Sequence, residues 1–229
     1  MQFFTIKTVV LGVMGLFLMG CDKEEKEVTE PFAYEQAKNY GTDPTSQEII
    51  EFNDSEIGTE VINTIYSFGT PIGIKAEQRL PNGKYKPVNV AKLFNTSSPT
   101  GDYTKFRTPN PKAFRPMGKI LIINDAVDTE PNLYAGGGRI EVDFSAIGTV
   151  LLKGIHVLDI EENEAGSTLE LLDKAGNVIK TMPLPVTGAL GATRLRVDTP
   201  GVAKLRVTFK STEKRGGTGA IDVLEFNRE

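Results

Sequence analysis

The stretch GRIEVDFSAIGTVLLKGIHVLDIEENEAGSTLELLDKAGNVIKTMP, residues 138–183, decides the fold class. Ile140, Val142 and Phe144 alternate with Arg139, Glu141 and Asp143, the period-two pattern of a strand with one face buried and one in water. Leu151 to Ile160 is almost wholly apolar, which predicts a strand covered on both faces. Thr168 to Leu172 and Val178 to Pro183 flank Asp173-Lys174-Ala175-Gly176-Asn177, a hairpin turn in which glycine supplies a positive φ.

Downstream, Thr193 to Asp198 and Val202 to Lys210 flank Thr199-Pro200-Gly201 and predict a second hairpin. Setting Val197 against Ala203 and Leu195 against Leu205 keeps apolar residues on one face, whereas a one-residue slip would oppose Val197 and Lys204. The same register places Arg196 across from Lys204 and Arg194 across from Arg206, a basic patch. Like charges so opposed predict acidic partners from a neighbouring strand, with Glu141, Asp143 and Glu225 as candidates. The patch reads either as a site for an anion or acidic glycan or as a solvated face laced with ion pairs, the commoner arrangement. Upstream, Glu48 to Phe52, Asn63 to Tyr66, Ile72 to Gln78 and Val88 to Phe94 read as further strands. Residues 95–117 form a long polar stretch with four prolines, and a loop of that length inside a compact domain is usually functional or mobile. The chain from 46 to 229 therefore reads as one all-β domain, a two-sheet antiparallel sandwich or barrel.

The composition narrows the chemistry. The 229 residues carry a net charge of −4, with 39% hydrophobic residues, one Cys, one His and no Trp. The hydrophobic content supports a core, and the missing basic excess gives nucleic-acid binding no electrostatic support. A single Cys excludes a disulfide framework and a cysteine-rich zinc site, and a single His excludes metal catalysis by clustered imidazoles. His156 lies between Ile155 and Val157 and reads as a satisfied core or edge residue rather than a general base. Gly136 to Gly138 precede a strand, not a helix, so phosphate cradling is not expected, and no G-x-S-x-G elbow occurs.

At the N-terminus, MQFFTIKTVVLGVMGLFLMG (1–20) has one charge, Lys7, and then an uncharged apolar run from Thr8 to Met19. That run is shorter than the roughly 20 residues a spanning helix needs, so it reads as a signal peptide. Leu18-Met19-Gly20-Cys21 resembles the lipobox of bacterial lipoproteins. The resemblance implies cleavage before Cys21, acylation of that residue with diacylglycerol and a further fatty chain such as palmitate, and multi-chain membrane anchoring. The charged run from Asp22 to Glu27 resembles the export tract of surface lipoproteins in outer-membraned bacteria. Asp22 directly after the cysteine alternatively resembles an inner-membrane retention signal; the tract's length favours the outer membrane and surface exposure. Residues 21–45 read as a flexible linker, with Phe32 to Tyr40 as a single turn of helix.

Residues 48–229 resemble the jelly-roll, galactose-binding-like domains of bacterial extracellular proteins and carbohydrate-binding modules. The segments concerned are KILIIN (119–124), the glycines at 136–138 with RIEVDFS, VLLKGIHVLDIEE, LELLDKAGNVI and the terminal GAIDVLEF. The resemblance implies a jelly-roll sandwich whose first strand, near Ile49 to Phe52, lies beside its last. It also implies a structural calcium, for which Asn124, Asp125, Asp128 and Asp222 offer hard oxygen ligands. Ala220 to Glu225 looks like the E-x-D-x-x-E strand of jelly-roll glycoside hydrolases, but alanine stands where the nucleophile belongs, so no catalytic residues are expected and the chain reads as a non-enzyme. With no Trp, glycan contact falls to loop aromatics. Tyr103, Phe106, Phe114 and Tyr134 are the candidates, with Asp102 and Arg107 supplying hydrogen bonds. The leading expectation is a lipid-anchored surface protein that binds a glycan or another surface ligand. An accessory subunit of an outer-membrane protein complex is the alternative, and a glycoside hydrolase the remote one.

Overall fold

The computed structural model describes residues 34–35, 38–39, 47–54, 60–96, 118–188, 191–210 and 217–229. In chain order the strands are β1 (Tyr34–Glu35), β2 (Lys38–Asn39), β3 (Glu48–Ile50), β4 (Thr64–Ser67), β5 (Thr70–Gln78), β6 (Ala91–Asn95) and β7 (Lys119–Ile123). They continue as β8 (Gly138–Asp143), β9 (Val150–Leu158), β10 (Thr168–Leu172), β11 (Val178–Pro183), β12 (Ala192–Val202), β13 (Lys204–Phe209) and β14 (Ala220–Arg228). One sheet runs β1-β4-β5-β8-β13-β10-β11. The other runs β12-β9-β14-β3-β2, with β7 also paired to β14 and β6 to β7. Apart from the parallel β1–β4 contact, every pairing is antiparallel. Single 3-10 turns at Phe52–Asp54 and Glu162–Glu164 interrupt the strands.

The alternation in β8 is borne out: Ile140 and Val142 are fully buried while Arg139, Glu141 and Asp143 lie on the outer face. Opposite strands supply Leu169, Leu171, Leu205 and Val207 from the same sheet and Leu152, Ile155, Val157, Leu224 and Phe226 from the other, filling the space between the layers. Phe144 meets Phe226 across that space with ring centroids 5.2 Å apart. Each such side chain contributes about 1.5–3 kcal/mol on burial, which is what holds two otherwise independent sheets face to face. The expected hairpin at 173–177 is present. Asp173 accepts hydrogen bonds from the N–H groups of Ala175 (2.9 Å) and Asn177 (2.8 Å), and Gly176 takes φ 82°. β3, which contains Ile49 and Ile50 of the strand expected near Ile49 to Phe52, pairs with the last strand, Leu224 opposite Ile50, as the jelly-roll resemblance implied for that segment.

Three expectations are corrected. β12 and β13 do not form a hairpin: β12 lies on β9 in one sheet and β13 between β8 and β10 in the other, with Ala203 as the corner. Thr199-Pro200-Gly201 is a bulge within β12, marked by register shifts on both sides of Thr199 and by Asp198 at φ 44°. The chain bends there but does not reverse, because its apolar residues find partners in two sheets rather than in each other. Secondly, the described residues within the stretch Phe32 to Tyr40, where a helical turn was expected, are the two-residue strands β1 and β2, one on each sheet. Thirdly, β9 is not covered on both faces throughout, since Leu151, Lys153 and His156 are only half buried. Double coverage occurs instead on β7. There Leu121 and Ile123 enter the main core, while Ile120 and Ile122 join Phe94, Leu133, Leu158 and Ala220 in a second apolar cluster.

Candidate functional site

Cys21, Asp102, Tyr103, Phe106, Arg107 and Phe114 lie outside the described residues. Tyr134 is half buried and packs on the core. Its hydroxyl donates to the carbonyl of Arg79 at 3.2 Å, and its ring occupies the space beside Gly136, where a Cβ would come within 2.5 Å of it. That is the geometry of a loop anchor.

The four residues suggested for calcium do not converge. Asn124 is fully buried, but its amide group already bonds the Ala126 carbonyl (2.6 Å) and the Thr129 hydroxyl (3.2 Å), and its Oδ1 accepts from the Asn132 N–H at 2.5 Å. Asp125 and Asp128 are exposed on the following loop. Asp222 is on β14, where the Ala220–Ile122 pairing places it opposite the β7 residue Ile120, four positions from Asn124 and so roughly 13 Å along the strand. Among the described residues no group of three His, Cys, Asp or Glu is placed to hold a metal ion. This quartet does not fit calcium.

The cations expected to form one basic patch are divided between the two sheets, and each is paired. Lys204 meets Asp143 at 2.6 Å, Arg206 meets Glu141 at 2.9 Å and Glu170 at 3.4 Å, and Arg194 meets Glu225 at 2.5 Å. Arg196 pairs with Asp198. The three acidic partners expected from the sequence are all found, joined by Glu170 and Asp198, although the hairpin that suggested them does not exist. The outer face of the β8 sheet also carries Glu77, held below the usual carboxylate range. Burial works to raise it, but hydrogen bonds from Lys75 and Arg139 outweigh that effect.

The suggested hydrolase strand is structural. Ala220 sits in the second apolar cluster, and Glu225, 8% exposed, is gripped by Arg194 through Nε (2.7 Å) and Nη2, with Gln47 adding a third bond at 3.0 Å. Arg194 reaches across β9 because Gly154 leaves room for it; a Cβ there would lie 3.1 Å from Arg194 Nη2. Hydrogen bonding by Arg194 keeps the Glu225 carboxyl below its ordinary range, the opposite of what a general acid requires. Beside it, Val223 is the extra residue of a bulge opposite His156 and Ile155, at φ 42°.

Two features escaped the sequence reading. The first is the tight β4–β5 turn, Phe68-Gly69, closed by the Ser67–Thr70 pair, with φ 48° and 71°. Asn-Gly is the usual occupant of such a turn; a bulky residue in this backbone region costs about 1–2 kcal/mol. Phe68 is nevertheless 47% exposed. Beneath it lies Arg228, its guanidinium carbon 5.7 Å from the ring centroid. Arg228 Nε donates to Glu48 Oε1 at 2.6 Å, Nη2 to the Ser67 carbonyl at 2.7 Å, and Nη1 to the Thr70 hydroxyl at 3.2 Å, while the Ser67 hydroxyl donates to Glu48, itself 4% exposed. The second feature is a buried acid at the other end. Glu164, 1% exposed, sits near Asp159 and Glu161 and accepts from the N–H groups of Glu161 (3.2 Å) and Gly217. Burial, reinforced by the two neighbouring carboxylates, pushes its carboxyl up to about 7 against those hydrogen bonds.

No protein-family model matches the chain, and no curated protein is similar to it in sequence. Among solved structures, a fucose-binding module of Streptococcus pneumoniae aligns over 41% of this chain and 67% of its own, at 10% identity and TM-score 0.30. The lectin domain of lectinolysin in complex with Lewis b aligns over 61% and 92%, at 10% identity and TM-score 0.33. An F5/8 type C domain from Bacteroides fragilis aligns over 42% and 68%, at 11% identity and TM-score 0.29. These likenesses are remote, and the β-sandwich rests on this chain's own strand pairing.

Proposed function

We propose that the chain is a lipid-anchored cell-envelope protein, tethered to the outer membrane through acylated Cys21 and displayed at the cell surface, whose β-sandwich binds a glycan or another surface ligand. The observation that carries this reading is Leu18-Met19-Gly20-Cys21 at the end of a short apolar segment, followed by a charged tract and then a β-sandwich. The net charge of −4, and among the described residues the pairing of Arg194, Lys204 and Arg206 with carboxylates, give nucleic acid no electrostatic support. Labelling cells with a palmitate analogue tests the anchor: label is expected on the native chain and absent from Cys21→Ser. Protease shaving of whole cells tests display, since protection of the sandwich would contradict it. A glycan array probed with the detergent-solubilised native protein tests binding, and a blank array from folded protein would count against it.

The alternative, an accessory subunit of an outer-membrane complex, is favoured by one feature. Among the described residues β11 is an edge strand of its sheet, and Val178 and Ile179 there are 49% and 43% exposed. Stoichiometric recovery with a barrel protein in mild detergent would support that role.

A further inference from the structure

We propose that Phe68 and Arg228 form a platform for a neutral pyranose, the phenyl ring stacking on the sugar's C–H face while Arg228 and Thr70 offer hydrogen bonds to its hydroxyls. This deepens the glycan-binding reading and rests on it. Three observations carry the assignment. The turn holds an exposed aromatic ring where Asn would relieve both the backbone strain and the exposure, and unfavourable choices kept in a rigid turn mark functional positions. The guanidinium below the ring is fixed before any ligand arrives, bonded to Glu48, the Ser67 carbonyl and Thr70, so binding need not order a free arginine. Its charge is already matched by nearly buried Glu48, so an acidic sugar would compete with that carboxylate, whereas a neutral one would not.

An apolar ring ringed by placed polar groups is the composition of a sugar subsite rather than of a lipid-seating spike, which needs a broader apolar tip or unpaired cations. Among the described residues Phe68 is the one exposed large hydrophobic side chain in this turn, and Arg228 is ion-paired.

The chain has no tryptophan, so Phe68→Trp places a single indole at the platform. The experiment uses the full-length lipidated protein in detergent and on vesicles. Native protein and Phe68→Asn are compared on an array of neutral and acidic glycans, and Phe68→Trp emission is followed on adding methyl β-galactoside or methyl β-glucoside. The expected result is binding of neutral glycans by native protein, at least tenfold weaker binding by Phe68→Asn with an unchanged or higher Tm, and a sugar-dependent change in indole emission. If native protein binds and Phe68→Asn binds within twofold of it, the platform is wrong while the glycan reading stands. If folded native protein binds no glycan, both fall. Indole emission that shifts to the blue on vesicles and is quenched by brominated lipids, with no response to sugar, overturns the platform in favour of a lipid contact.

Discussion

Replacing Glu164 with glutamine should remove a pH-dependent loss of stability that the native protein carries. The carboxyl moves from an ordinary 4.5 to about 7 on folding. The folded state therefore holds this proton more tightly than the unfolded chain does. Stability from this group is greatest below 4.5, falls as the pH rises towards about 7, and is flat above that. The full difference corresponds to about 3 kcal/mol, taking roughly 1.4 kcal/mol per pH unit. The substituted amide cannot ionise. Its oxygen can keep one of the two backbone hydrogen bonds, and its nitrogen adds donors near Asp159 and Glu161. Urea unfolding of native protein and Glu164→Gln, followed by far-UV circular dichroism between about pH 4.5 and 8, gives the difference in stability at each pH and cancels groups common to both. That difference should move by about 3 kcal/mol in favour of the variant across the range. A difference that stays constant within about 0.5 kcal/mol would refute the claim that Glu164 is buried beside like charges in the folded state.

Three further outcomes follow from the same geometry. Arg194→Met leaves Glu225 nearly buried with a hydrogen bond from Gln47 and His156 nearby, and should cost about 2 kcal/mol, less than a fully buried pair because Arg194 is itself 43% exposed. Gly154→Ala sets a methyl group 3.1 Å from Arg194 Nη2 and should cost about 1 kcal/mol; combined with Arg194→Met, the loss should fall short of the sum, as a double-mutant cycle by urea unfolding will read. Millimolar calcium against chelator should shift Tm by less than about 1 °C, whereas a micromolar site would add about 4 kcal/mol and several degrees, revealing calcium ligands other than the four tested above.

How far the sequence could be read depended on whether its signals were local. Period-two burial in Gly138–Asp143 and the Asp173–Asn177 turn depend on neighbours in the chain, and both were legible. The relation of β12 to β13 was not. Thr199-Pro200-Gly201 has the composition of a hairpin turn, but whether such a segment reverses the chain or only bends it depends on which sheets have room for Leu195 and Leu205. The acidic partners were legible despite that error, because like charges on outward faces need opposite charges nearby whichever strand provides them. Phe68 carried no signal, since a phenylalanine before glycine does not announce a positive φ. The burial of Glu164 was equally silent, because nothing local in Glu161-Glu162-Asn163-Glu164 distinguishes one buried carboxyl from its exposed neighbours.

The network linking Glu48, Ser67, Thr70 and Arg228 also determines how force would travel through the molecule. Glu48, the first residue of β3, is bonded to Arg228, the last residue of β14, and to the Ser67 hydroxyl, and Arg228 in turn reaches the Ser67 carbonyl and the Thr70 hydroxyl at the two ends of the β4–β5 turn. On the proposed reading, a ligand pulling on that turn against an anchor at Cys21 would load the short β1–β4 and β2–β3 pairings together with this side-chain network. The side-chain share of that tension would run through one arginine and one carboxylate at the end of the sandwich, in parallel with those strand pairings. A protein strained this way under flow would yield by parting an ion pair, a break that re-forms on release, before its hydrophobic layers were asked to slide.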